Sequence, residues 1–159
     1  MYECLLNHAY RNSIDVYETQ MKGRIKGLYG NNIIWLNKSL LNSSAKKASV
    51  LSEELGHYHT SVGNITDQTN LSNRKQELRA RIWAYEKVVP LYKIVQAHQQ
   101  NIKNGFEFAE YLGITEDFLS AALMRYQNKY GLSVDYDKFT IYFDPLKVVE
   151  SVSHKNFYT

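Results

Sequence analysis

Apolar and polar positions change rhythm several times along this chain, and each change marks an element. In YECLLNHAYRN, residues 2–12, Leu5, Leu6 and Ala9 recur at helical spacing and predict a first helix. IDVYE, residues 14–18, alternates with the period of a half-buried strand. KGRIKGLYGNNIIWLN, residues 22–37, reads as a hairpin, with Gly30 and Asn31 at the turn and IIWL as the returning strand. In that reading Lys22, Arg24 and Lys26 stand two apart and share one strand face. SSAKKASVLSEELGHYHT then switches to helical period. Ser43 or Ser44 is the expected N-cap, and Gly63 lies just past the end. Asp67 to Leu71 reads as a connector. From Ser72 a second long helix runs through NRKQELRARIWAYEKVV to Pro90, which kinks or ends it, and LYKIVQAHQQN continues as helix.

The tail has a different grammar. FEFAEYLGITEDFLSAALMRYQNKYG predicts a short helix, a turn at Leu112-Gly113-Ile114, and a longer helix capped by Thr115 and stopped by Gly131. Ala109 and Gly113 are spaced as in helix-turn-helix units, where a small residue and a turn glycine permit close packing. YDKFTIYFDP reads as a terminal strand or wing-like hairpin. There is no internal repeat. Strands followed by helices indicate an α+β fold. The organisation expected is a main domain over residues 1–98 and a helical extension with a terminal strand or hairpin over residues 99–159.

Composition narrows the classes of function. No apolar run approaches the roughly 18 residues that a membrane span needs. MYECLLNHAYRNS lacks the basic start, long apolar stretch and small-residue cleavage site of a signal peptide. Cys4 is the only cysteine, which excludes an internal disulfide and any multi-cysteine zinc site and makes a reducing, cytoplasmic location the default expectation. The net charge of +3 conceals an asymmetry: residues 1–103 carry 14 Lys/Arg against 8 Asp/Glu, and residues 104–159 carry 5 against 8. A DNA-reading helix needs a basic footprint. The tail helix offers Arg125 and Lys129 against Glu116 and Asp117, so direct nucleic-acid binding is not expected and a helical pair packed on the main domain is.

The chemistry concentrates in EELGH, residues 53–57. It differs by one letter from H-E-x-x-H, in which two histidines one helical turn apart bind zinc and the intervening glutamate activates a water. At 100° per residue, Ala48, Leu51, Leu55 and Tyr58 form an apolar stripe, and Glu53, Glu54 and His57 fall together on its flank with Val50. Glu53 and His57 are i and i+4, so they stand one above the other and could share a cation. Gly56 costs helix stability, roughly 1 kcal/mol relative to Ala, and could admit a neighbouring backbone. A zinc site needs a third protein ligand. Glu77 on the next helix is the candidate, with Ala80 and Ala84 near the same face to allow close packing; Asp67 in the connector is its rival. His59 shares no helix face with His57 and ranks below both. The plainer alternatives are a polar helix flank with a half-exposed histidine, and Glu77 as the i,i+4 partner of Arg81.

Taken together, GRIKGLYG, EELGHYHTSVGNI, NRKQELRARIWAYEK and FAEYLGITEDFL give nearly the whole chain a resemblance to the ImmA/IrrE family of metallopeptidase-like proteins, closest to phage and mobile-element members from Gram-positive bacteria. The resemblance implies a zincin-like small sheet packed on the motif helix, followed by a helix-turn-helix-like C-terminal part. It implies cleavage of a phage or mobile-element repressor, itself a helix-turn-helix protein. By position, Glu54 is the general base, His57 and Glu77 are zinc ligands, and Glu53 occupies the first ligand's place. That departure gives one nitrogen and two carboxylates, a set that weakens zinc's pull on a bound water and moves preference toward Mn²⁺ or another hard ion. Two other functions stay open: a catalytically inactive antirepressor or immunity protein on the same frame, and a DNA-binding regulator.

Overall fold

The structure is a computed structural model, and it describes residues 1–61 and 70–151. The fold is α+β. Helix α1 (Tyr2–Arg11) precedes β1 (Asp15–Thr19), β2 (Gly27–Gly30) and β3 (Ile33–Asn37). These strands form one sheet in the order β1-β3-β2. β1 runs parallel to β3 with Val16 opposite Ile34, and β2 runs antiparallel to β3 with Leu28 opposite Trp35.

The hairpin differs from its expected form in two ways. Its turn residues are Asn31 and Asn32, at φ 52° and 60°, the left-handed pair that a two-residue hairpin loop requires. The strand also begins only at Gly27, so Lys22, Arg24 and Lys26 lie before it and share no strand face. Asn37 supplies the reason. Its fully buried side chain donates to the carbonyls of Met21 and Ile25 at 3.2 and 2.8 Å and accepts from the Met21 amide at 3.3 Å. These bonds, with Gly23 at φ 78°, fold residues 21–25 into a loop in place of a ladder.

Helix α2 (Ser44–Thr60) starts at Ser43, whose hydroxyl accepts from the Lys46 amide at 3.2 Å. Ala48, Leu51 and Leu55 are fully buried and Tyr58 packs partly against the core, which is the stripe expected from period. Helix α3 (Asn70–Val88) begins two residues before the expected Ser72 and ends ahead of Pro90, which is the N-cap of α4 (Leu91–Gln99). The predicted helix stop at Gly63 lies outside the described residues, as does Asp67.

In the C-terminal part, α5 (Gly105–Leu112) is capped by Asn104 and closed by Gly113 at φ 70°, and α6 (Glu116–Tyr130) is capped by the Thr115 hydroxyl. Helix α6 packs on α3. The Tyr126 hydroxyl donates to the Val89 carbonyl at 2.8 Å, Lys129 pairs with Glu86 at 3.0 Å, and the Tyr85 and Phe118 rings meet edge to face. A three-stranded antiparallel sheet follows, β4 (Ser133–Tyr136), β5 (Phe139–Phe143) and β6 (Leu146–Glu150), one strand more than a hairpin. Among the described residues no helix is long and apolar enough to cross a membrane.

Candidate active site

Two glycines bring the site together. A side chain at Gly56 would collide with the Ala80 carbonyl, so its absence lets the α3 backbone lie directly on α2, and Ala80 and Ala84 are fully buried in that seam. Close approach is the physical use of a glycine that weakens its own helix. Gly27 does the same for β2. A Cβ there would stand 2.7 Å from Glu54 Oε1 and 2.6 Å from Val50 Cγ1. The Glu54 carboxyl thus lies against the first residue of the strand, in space that a side chain would take. Sequence reasoning singles out Gly56 and passes over Gly27, although an isolated glycine at a strand is itself a sign of close approach.

Across the helix seam, His57 Nε2 lies 3.3 Å from Glu77 Oε1, and Glu77 Oε2 reaches Arg81 at 4.0 Å. The helix-exposed reading of Glu77 and the convergent reading therefore hold at once, one for each carboxylate oxygen. Glu54 sits one turn from His57 on the same flank. Burial raises its carboxyl pKa to about 7, the charges of Glu53 and Glu77 push the same way, and the backbone amide of Tyr29 pulls against them. The Glu53 carboxyl is also raised, first by burial and then by Glu77, with Arg81 and Lys26 opposing. A carboxyl that titrates near neutrality beside an imidazole is suited to exchanging protons with water.

The donor set can be tested against the ion that H-E-x-x-H sites carry. Two donors each about 2.0–2.1 Å from one tetrahedral zinc stand roughly 3.3–3.4 Å apart, which is the His57–Glu77 separation. Those two residues fit a shared divalent ion. Glu53 does not join them: among the described residues no three His, Cys, Asp or Glu side chains form a group that could hold a metal. Glu53 lines a neighbouring cavity to which Glu54, His57 and Glu77 do not contribute, although the charge of Glu77 still acts on its carboxyl. One imidazole and one carboxylate, with the remaining positions left to water, make a looser set than a preformed zinc centre, and their oxygen share moves preference toward Mn²⁺.

His59 is engaged elsewhere. Its Nε2 lies 2.8 Å from His8 Nε2 on α1, and its ring stacks on Trp83 at 4.4 Å between centroids. Burial lowers both imidazole pKa values, and Lys87 adds to it. Nothing in the local sequence pattern pairs His8 with His59, because the contact spans 51 positions.

No curated protein matches the chain. The profile of the IrrE N-terminal-like domain, a family of M78 peptidases, matches residues 9–124.

Proposed function

Because the chain belongs to the IrrE N-terminal-like peptidase family, we propose that this metallopeptidase-like protein is an endopeptidase directed at a protein partner, a helix-turn-helix repressor of a phage or mobile element. The observation that carries the reading is the 3.3 Å approach of His57 to Glu77 with the Glu54 carboxyl on the same flank.

His57 and Glu77 would hold the divalent ion, zinc or manganese. When bound, the ion supplies polarisation of the scissile carbonyl and acidifies water. The chain's own residues do the rest. Glu54 takes a proton from the attacking water on its carboxylate and returns it to the leaving amine, one group serving as base and then as acid. Gly27 fixes where that carboxyl stands. Arg81 holds the second oxygen of Glu77, which leaves Oε1 facing His57. The family does not fix the substrate; the repressor target follows from the resemblance of the phage and mobile-element type.

A second reading has its own observation. Glu53 stands where the first ligand is expected and does not converge with His57 and Glu77, which favours an antirepressor or immunity protein that binds its partner without cutting it. Co-expression with candidate repressors, followed by intact-mass analysis, separates the two. The endopeptidase reading expects two repressor fragments with wild type, none with Glu54→Gln, and the same bound metal in both. Equal inactivation of the repressor by both proteins, with the repressor intact, would replace it with the second reading.

A further inference from the structure

A cavity of about 340 Å³ opens beside the site, at the small end of the roughly 300–1,000 Å³ of ligand pockets. It has room for one long side chain. Its walls come from α2, α3, the β3–α2 loop and the start of α6. Leu41, Val50, Phe118 and Ala121 make the apolar part, and Glu53 and Asp117 are its acidic residues.

Glu53 is the unusual wall. The ion pairs among the described residues join Glu18 to Lys47, His57 to Glu77, Glu77 to Arg81, Glu86 to Lys129 and Glu150 to Lys138. Glu53 belongs to none of them, and Arg81 and Lys26 act on it only through space. A half-buried carboxylate without a paired cation is unfavourable, and a cation that reaches it recovers the lost interaction. Lys26 and Lys46 also line the cavity. Their flexible stems let the ammonium groups turn to water, an escape that is narrower for the shorter, half-buried Glu53. The Lys46 ammonium already donates to Asn42 Oδ1 at 2.9 Å.

We infer that this cavity is a recognition pocket for one arginine or lysine side chain of the protein partner, with the methylene stem against Leu41, Val50 and Phe118 and the charged tip on Glu53. The inference deepens the proposed function, since it presumes a polypeptide bound at the adjoining Glu54–His57–Glu77 site. It also gives the residue in the first ligand's place a task of its own.

The test uses the isotope-labelled full chain in chelator, so that binding is read without turnover. The probes are the blocked pentapeptides acetyl-Ala-Ala-Arg-Ala-Ala-amide, its lysine counterpart and its norleucine counterpart. Amide-shift titration should show the basic peptides binding about tenfold or more tighter than norleucine, the scale of one charge-assisted contact. Shifts should centre on Val50, Tyr85 and Phe118. Glu53→Gln should bring the preference below about twofold, Glu53→Asp should retain most of it, and Ala121→Trp should fill the cavity from α6 and abolish it. Norleucine binding as tightly as arginine, or an unchanged preference in Glu53→Gln, would overturn the inference. Repressor cleavage without a basic preference sinks the pocket and leaves the endopeptidase reading standing. A basic preference without cleavage does the reverse.

Discussion

Gly56 on α2 meets the carbonyl of Ala80 on α3 with no side chain between them. This contact sets the distance between the two helices that carry His57 and Glu77. Gly56→Ala would gain roughly 1 kcal/mol of helix propensity, yet it must push the α2 and α3 backbones apart, an overpacking that costs typically 1–3 kcal/mol or more. The expected outcome is a net loss of stability in chemical denaturation, together with weaker metal binding. A variant more stable than wild type would show that the seam has room for a methyl group.

Metal affinity should follow the donors. His57→Ala removes the imidazole that faces Glu77 and should abolish binding of Zn²⁺ and Mn²⁺ in calorimetric titration. Glu53→His puts an imidazole one helical turn from His57; turned toward Glu77 and away from the cavity, it should raise zinc affinity by roughly tenfold or more, because a second neutral nitrogen restores the usual borderline-soft set. Binding that is unaffected by His57→Ala would place the ion elsewhere.

In chelator, stability should fall as pH rises from about 4.5 to about 7. Glu54 is held protonated by burial up to about pH 7 in the folded chain, against an ordinary value of 4.5. Below 4.5 both states carry the proton and the group's contribution is intact. Through the window the unfolded chain ionises first, so the contribution is lost, by up to about 3 kcal/mol. Glu54→Gln cannot ionise. Urea unfolding should therefore find it near wild type at pH 4.5 and more stable at pH 8. A constant difference between the two proteins across that range would contradict this account.

The full chain should not bind duplex DNA tightly. Helix α6 packs its Lys129 against Glu86 of α3 and opens with Glu116 and Asp117, which leaves little of the basic surface that groove binding needs. A sub-micromolar, sequence-selective complex at physiological salt, with the affinity losses on adding salt expected of phosphate contacts, would revive the DNA-binding reading.

What the sequence made legible was mostly local. Ala48, Leu51 and Leu55 announce the buried stripe of α2, Ser43 and Thr115 announce caps, and Gly113 announces the left-handed end of α5, because each signal lies within one or two turns of its effect. The loop at residues 21–25 reads as strand from its own letters, since its organiser is Asn37, more than ten positions downstream. The parallel pairing of β1 with β3 is out of reach for a similar reason: no short pattern states which strands become neighbours. The EELGH flank points to the residues that meet at His57 and Glu77, and Gly56 hints at how. It carries no sign of the cavity that Glu53 lines, because that cavity also draws walls from α3 and α6.

That cavity joins Lys26 to Ala121 through Glu53 and Tyr85, so its assembly closes loops of tens of residues, whereas Glu54 and His57 share one helical turn. The metal-facing residues and the cavity thus differ in contact order, and the closure of long loops is the slower and more topology-dependent event. A chain ending near residue 98 would still carry Glu54, His57 and Glu77 but not the Thr115–Ala121 wall. Chemistry and selectivity reside on different stretches of polypeptide, and either can change in evolution while the other stays.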